Sequence, residues 1–498
     1  MVKIIKKTID NIENSKTPIG FFILSFFFSI NLRNFLEAFS TKNFYYFNSL
    51  NTIVHYNIFY ISLAISLVIL FFLLVKKNIF SAIKIILTSF LIVILPPIID
   101  LIVGRGKGSQ IAYLVPNCHD NIFERFFLFF GDLGACSFGI TTGIKTEIFI
   151  VLVFSFFYFF THNKKIIKSL FSSLLVYMLI FIHVAFPFVL KNLFLPYETV
   201  DILSASFLTL IFFTGTFLLY LINKEYFKII IKDIRPFRLL HYFAMFGLGI
   251  YIAGAPLHGY NTGTIHDFIL IFIVIALAWI YSVMTNNIAD IKIDKVSNIE
   301  RPLAKESIPL SDYKKISWIV LVLALIYASL TSFMVLFFIF IFIGNYFIYS
   351  VDPLRIKRVP ILSKSLIAFN SLILVLLGYI IGNYNSIDGF PNILYLFFLI
   401  GYTLVLNFID IKDYEGDKLA GIKTIPVILG LKKAKILIGL FFISIYLSIC
   451  LIYPTKQYIY LFPLLGLLQF YVINKKNYKE LYIFLIYLFS LVLFFIIF

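Results

Sequence analysis

The sequence predicts an all-α, polytopic membrane protein of about fifteen transmembrane helices, and three observations carry that expectation. Of its 498 residues, 61% are hydrophobic and 19% aromatic, while only 13% are charged. A soluble chain of this length has too little interior to hide so much apolar surface. Apolar runs of roughly twenty residues recur from end to end, the length a helix needs to cross the hydrocarbon core. Lysine and arginine gather in the short connections between those runs, as topology signals do.

Taken in order, residues 1–16 are polar and basic, and the first apolar run opens at Pro18. No small-residue cleavage site follows it, so it is expected to stay as an anchor. Further runs lie near 54–75, 79–103, 146–161, 167–190 and 202–223. A basic, broken stretch from Asn223 to Arg238 then interrupts the pattern with Lys224, Lys228, Lys232 and Arg235-Pro236. It divides an expected N-terminal membrane domain of about six helices (1–230) from a second domain (231–498). Beyond it, runs lie near 239–257, 266–286, 316–332, 333–350, 361–382, 391–409, 434–453, 457–473 and 480–498.

Loop charge orients these runs. Connections 287–315, 351–364, 410–433 and 474–479 are rich in Lys and Arg, whereas 258–265 and 383–390 have none. The rich set is therefore expected on the cytoplasmic side of a cell membrane. Lys76-Lys77 and Lys164-Lys165 agree with that orientation, while Arg105, Lys107, Arg125 and Lys145 would then lie in an outside loop. The net charge of +17 sits in these loops, which fits anionic membrane lipids and not nucleic acid. Three cysteines, Cys118, Cys136 and Cys450, lack metal-ligand spacing, so neither a disulfide framework nor a zinc site is expected.

Two acidic clusters break this apolar background. Asn286, Asp290 and Asp294 are spaced by four, which on a helix puts them on one face. Alone, the cluster reads equally well as a solvated helix end where Asp and Lys alternate. The second cluster holds Asp410, Asp413 and Asp417, with Gly416 and Gly421 permitting sharp turns and close backbone approach. Both open basic loops on the same expected side, with Asp410 lying 120 residues beyond Asp290. Converging carboxylates near a bilayer suit hard divalent cations, with a substrate diphosphate completing the coordination.

These residues resemble the motifs of the UbiA superfamily of intramembrane prenyltransferases. The first motif carries Asn286, Asp290 and Asp294 followed by Arg301-Pro302; the second carries Asp410, Asp413, Gly416, Asp417, Gly421, Thr424 and Pro426. A third run reads Tyr349, Ser350, Pro353, Leu354, Arg355, Lys357 and Arg358, and Arg235-Pro236 precedes the first helix. The resemblance spans about residues 232–498, and one position departs from it: Asn287 stands where the family usually has aspartate. It implies a nine-helix bundle around a central cavity, with Asn286, Asp290, Asp294, Asp410, Asp413 and Asp417 as Mg²⁺ ligands. It further implies a polyprenyl diphosphate donor, a hydrophobic acceptor and diphosphate contacts from Arg235, Arg301, Arg355, Lys357 and Arg358. Asp290, Asp294, Asp413 and Asp417 would serve catalysis, Tyr349 would face the allylic cation, and Asp410 or Asp417 would take the acceptor proton. Phe-rich 333–348 would either line the isoprenoid slot or face lipid. The alternative reading is a non-catalytic transporter or lipid carrier using the same acidic cation site.

The first part resembles no family. Arg33 and Glu37 are spaced to pair on one helix face. Gly104-Arg105-Gly106-Lys107-Gly108 lacks the ending of a phosphate-binding loop, Cys118-His119-Asp120 is too contiguous to converge on a metal, and His183 and Pro187 read as packing and kink residues.

Overall fold

Helices account for all the regular structure among the described residues of this computed structural model, which are 2–44, 50–108, 126–127, 141–186, 200–254, 262–419, 421–476 and 478–497. Contacts divide the chain into two compact units, Met1–Lys224 with Thr262–His266, and Glu225–Asn261 with Asp267–Phe498. Among the described residues, thirteen helices are long and apolar enough to cross a membrane. The other two expected spans are shorter helices, Pro236–Ile252 with 17 residues and Leu461–Asn474 with 14.

In the first unit α1 (Val2–Glu13), α2 (Ile19–Thr41), α3 (Leu50–Val75) and α4 (Ile79–Ser89) lead into α5 (Leu95–Val103). Residues 90–94 tighten into a 3₁₀ turn just before Pro96-Pro97, which cannot donate to the preceding turn. Next come α6 (Thr142–Asn163), α7 (Ile166–Val184) and α8 (Val200–Ile222). Phe26, Ile30, Phe71, Ile86, Phe90 and Phe159 form the core, with Phe26 and Phe90 edge-to-face at 4.8 Å. Arg33 and Glu37 pair at 2.9 Å inside this apolar setting, and Tyr56 and Tyr60 flank the guanidinium at 6.0 and 5.8 Å. His183 is a packed core histidine, bonded to the Leu179 carbonyl at 2.9 Å and stacked on Phe207. The glycine run 104–108 simply ends α5. Each of its five N–H groups already donates to a carbonyl, so it offers no cradle for phosphate. Cys118, His119, Asp120, Arg125, Cys136 and Pro187 lie outside the described residues.

After the short helix α9 (Lys224–Asp233), the second unit contains nine long helices among its described residues: α10 (Pro236–Ile252), α11 (Thr262–Ala289, in this unit from Asp267 onward), α12 (Leu310–Thr331), α13 (Phe333–Ser350), α14 (Leu362–Gly382), α15 (Asn392–Ile411), α16 (Leu431–Ile452), α17 (Leu461–Asn474) and α18 (Glu480–Ile497). Small residues set the closest crossing. A Cβ on Gly249 of α10 would strike the Val375 carbonyl, and one on Gly378 of α14 would strike the Phe246 carbonyl. The two backbones therefore touch through reciprocal glycines, as membrane helices do when packing rather than apolar transfer holds them together. Phe333, Phe337 and Phe340 of α13 point outward with exposures of 82%, 62% and 62%, while Phe342 is buried and Tyr346 of the same helix turns to a cavity.

Candidate active site

Both acidic clusters sit where a long helix breaks. Asp290 lies between α11 and a short helix, Ile291–Ser297, with its backbone off the helical geometry. Helical spacing nevertheless survives, since Asp290 N–H donates to Asn286 O and Asp294 N–H to Asp290 O, each at 2.9 Å. In the second cluster Asp410 ends α15 in a 3₁₀ turn, and Asp417 N–H bonds Asp413 O at 2.8 Å. Breaking the helices frees side chains that an unbroken helix would spread along one stripe.

All six oxygen-bearing residues, Asn286, Asp290, Asp294, Asp410, Asp413 and Asp417, line one cavity of about 1380 Å³, its opening included. Asn298 ties the clusters together, donating to Asp294 at 3.3 Å and to Asp413 at 3.2 Å. Cations face the carboxylates. Arg301 spans both oxygens of Asp294 at 2.5 and 2.6 Å, Arg355 reaches Asp290 at 2.9 Å, Lys357 also contacts Asp290, and Lys364 contacts Asp410. Among the described residues no three His, Cys, Asp or Glu side chains are grouped tightly enough to hold a metal by themselves.

The electrostatics are strained in both directions. Burial, with Asp410 and Asp413 adding like charge, pushes the Asp417 carboxyl up to about 7. Burial also raises Asp294 despite Arg301. On the cationic side, burial and the neighbouring Arg301 and Arg238 push Arg235 down to about 10, and burial lowers Lys357.

Of the five cations expected at the diphosphate, Arg235, Arg301 and Lys357 line the cavity. Arg355 stands behind Asp290, bonded to it and to the Ala289 carbonyl at 3.2 Å. Arg358 turns away to Asp352 at 3.3 Å and is not among the lining residues. Tyr349 lines the cavity beside Tyr346. Asn287 does not line it.

Sequence reasoning passed over several lining residues: Arg238, His241, Lys364, Tyr402 and Tyr487. His241 bonds Tyr487 at 2.6 Å and Ser371 at 2.8 Å, and Tyr487 bonds Tyr402 at 3.1 Å. Lone ionisable residues inside apolar spans were the available signal for His241 and Lys364. A second, almost wholly apolar chamber of about 790 Å³ adjoins, and Tyr402, Val405, Phe442 and Tyr487 line both spaces.

A helical integral membrane protein with a charged cavity opening toward an apolar chamber is the class these features define. The chain belongs to the UbiA prenyltransferase family, whose model matches residues 244–495, and is a prenyltransferase by that membership. It is 26% identical over 205 residues to the digeranylgeranylglyceryl phosphate synthase of Methanococcus vannielii, covering 41% of this chain and 70% of that protein. The Thermococcus sibiricus synthase of the same name is 28% identical over 237 residues, covering 46% and 77% respectively. The synthase of Methanoculleus marisnigri is matched over only 59% of its length. A solved UbiA homolog from Archaeoglobus fulgidus, bound to DMAPP and Mg²⁺, aligns at 18% identity with a TM-score of 0.41, covering 53% of this chain and 96% of that one.

Proposed function

We propose that residues 231–498 transfer a prenyl group from a polyprenyl diphosphate to a hydrophobic acceptor and release diphosphate, with the acidic loops on the cytoplasmic face of the cell membrane. The observation that carries this reading is the convergence of both acidic clusters with Arg235, Arg301 and Lys357 on one cavity that adjoins an apolar chamber. A diphosphate with an isoprenoid tail has that same division between charge and hydrocarbon.

The donor set fits Mg²⁺. Its side-chain oxygens are hard ligands, and burial with two neighbouring carboxylates raises Asp417, so added positive charge there is favourable. Mg²⁺ characteristically takes one or two carboxylates and completes its shell with phosphate and water. Asn286, Asp290, Asp294, Asp410, Asp413 and Asp417 would hold it, and it would supply neutralising charge to the diphosphate.

The chain's own residues do the rest. Arg235, Arg301 and Lys357 take diphosphate oxygens as charge-assisted donors, while Arg355 fixes Asp290 from behind. As the C1–O bond breaks, its electron pair leaves with the diphosphate, and the ring face of Tyr349 attracts the allylic cation. An acceptor oxygen then bonds C1, and its proton passes to Asp410 or Asp417. The apolar chamber takes the tail and excludes water from the cation. The relatives' name favours a prenylated glyceryl phosphate as acceptor, alkylated at a hydroxyl.

The test is Mg²⁺-dependent diphosphate release by the purified protein with a set of prenyl diphosphates and candidate acceptors, beside Asp290→Ala. Release that requires Mg²⁺ and is lost in the variant supports the reading. Absence of release with every donor and acceptor combination defeats it.

A further inference from the structure

Asn287 is only 1% exposed and sits behind the cavity wall, at the centre of a four-residue node. Its Oδ1 accepts from Arg235 Nη2 at 2.7 Å, and its Nδ2 donates to Asp233 Oδ2 at 2.6 Å. The same Nδ2 lies 3.1 Å from Tyr313 Oη, and Tyr313 in turn donates to Asp233. Arginine only donates and a carboxylate only accepts, so the amide can face only one way. Three separate elements meet here: the helix ending at Asp233, α11 and α12.

Arg235 needs this support. It has a φ of 55°, a left-handed backbone that a side chain with a Cβ adopts at a cost, and it is half-buried, with Arg301 and Arg238 as like-charged neighbours. On the other side of the turn, Trp279 Nε1 donates to the Ile234 carbonyl at 2.6 Å and pins the backbone. The backbone of the turn is thus held by the tryptophan, and the guanidinium by the amide.

Building on the prenyl diphosphate reading, we infer that Asn287 is a positioning residue: with Asp233 and Tyr313 it holds the Arg235 guanidinium toward the cavity for the donor diphosphate. The balancing negative charge sits one residue removed, on Asp233, so the node holds one carboxylate and one amide between Arg235 and Tyr313. An aspartate at 287 would replace the amide donor to Asp233 with a second carboxylate, and the repulsion between the two turns the acceptor out of line with Arg235. With asparagine at 233 as well, the node regains one amide and one carboxylate in reversed order.

The experiment compares wild type, Asn287→Asp, Asp233→Asn and the Asn287→Asp/Asp233→Asn double variant in detergent. Diphosphate release is followed as donor concentration varies, and thermal unfolding confirms that each variant is folded. Asn287→Asp is expected to raise KM for the donor about tenfold or more, the worth of one charge-assisted hydrogen bond, with little change in kcat. The double variant is expected to recover most of that loss. A purely structural role would not give a KM effect that reverses on restoring the charge count. Should Asn287→Asp fail to fold, Asn287→Ala serves instead, read by binding of inorganic pyrophosphate with Mg²⁺; weaker binding supports the inference, and unchanged binding overturns it. An unchanged KM in Asn287→Asp, or a folded double variant no better than the single, also overturns it while leaving the prenyltransferase reading intact. A wild type that releases no diphosphate removes both together.

Discussion

Replacing Lys364 by methionine tests the charge balance of the carboxylate wall most directly. Its ammonium contacts Asp410, and the two side chains are 3% and 9% exposed. Removing one partner of a buried ion pair costs about 3–5 kcal/mol, because the other charge stays behind uncompensated. Both side chains line the cavity, where water screens them in part, so the lower end, about 3 kcal/mol, is expected here. The same lysine competes with any divalent cation for Asp410. Its loss should therefore tighten Mg²⁺ binding, and a site filled at 100 times its Kd returns about 2.7 kcal/mol. The assay is thermal unfolding of wild type and Lys364→Met in detergent, first in EDTA and then across a Mg²⁺ titration. The variant should unfold markedly earlier in EDTA and gain more from Mg²⁺ than wild type does. Equal midpoints in EDTA, or an equal gain from Mg²⁺, would refute the account of Asp410 as a buried charge awaiting a cation.

Arg301→Gln removes the two-oxygen clasp on Asp294 and one cation from the cavity. It should raise donor KM by roughly tenfold in steady-state kinetics, and a value within twofold of wild type would count against its role. Gly378→Ala places a methyl against the Phe246 carbonyl, so it should lower the thermal midpoint by an amount equivalent to about 1–3 kcal/mol; an unshifted midpoint would mean that α10 and α14 can separate freely. Val405→Trp fills the space that the charged cavity and the apolar chamber share. Turnover of long-chain donors should fall while a five-carbon donor is spared, and equal losses across chain lengths would place the tail elsewhere. Glu37→Gln in the first unit removes the paired carboxylate from buried Arg33, which keeps its hydrogen bond to Asn34 at 2.8 Å, and should cost about 3 kcal/mol in unfolding measurements, more than the Arg33→Met/Glu37→Gln pair costs.

Much of the site was legible because its chemistry is carried by spacing. The turns that bring Asp290 to Asp294 and Asp413 to Asp417 are local hydrogen-bonded turns, so a four-residue interval in the sequence survives as an interval in space. Arg301 was legible for the same reason, lying seven residues beyond Asp294 on the same short connection. Arg355 and Arg358 belong to one motif and both reach Asp352, at 3.5 and 3.3 Å, yet of the two it is Arg355, at a turn with φ of 38°, that reaches on to Asp290 at 2.9 Å. No spacing rule reports that.

The sequence alone determined the spans, because hydrocarbon is a uniform solvent and a helix must match its thickness in apolar residues whatever its neighbours are. It also determined the family motifs and the presence of hard oxygen ligands. Tertiary structure decided which cation faces which carboxylate, that α13 turns Phe333, Phe337 and Phe340 outward but Tyr346 and Tyr349 to the cavity, and that α15, α16 and α18 wall the apolar chamber. It also turned Asn287 from the cavity to Asp233, and set His241 between Tyr487 and Ser371. The physical reason is common to all of these: each depends on side chains from helices far apart in the chain, and hydropathy constrains how long those helices are but not which faces they turn to one another.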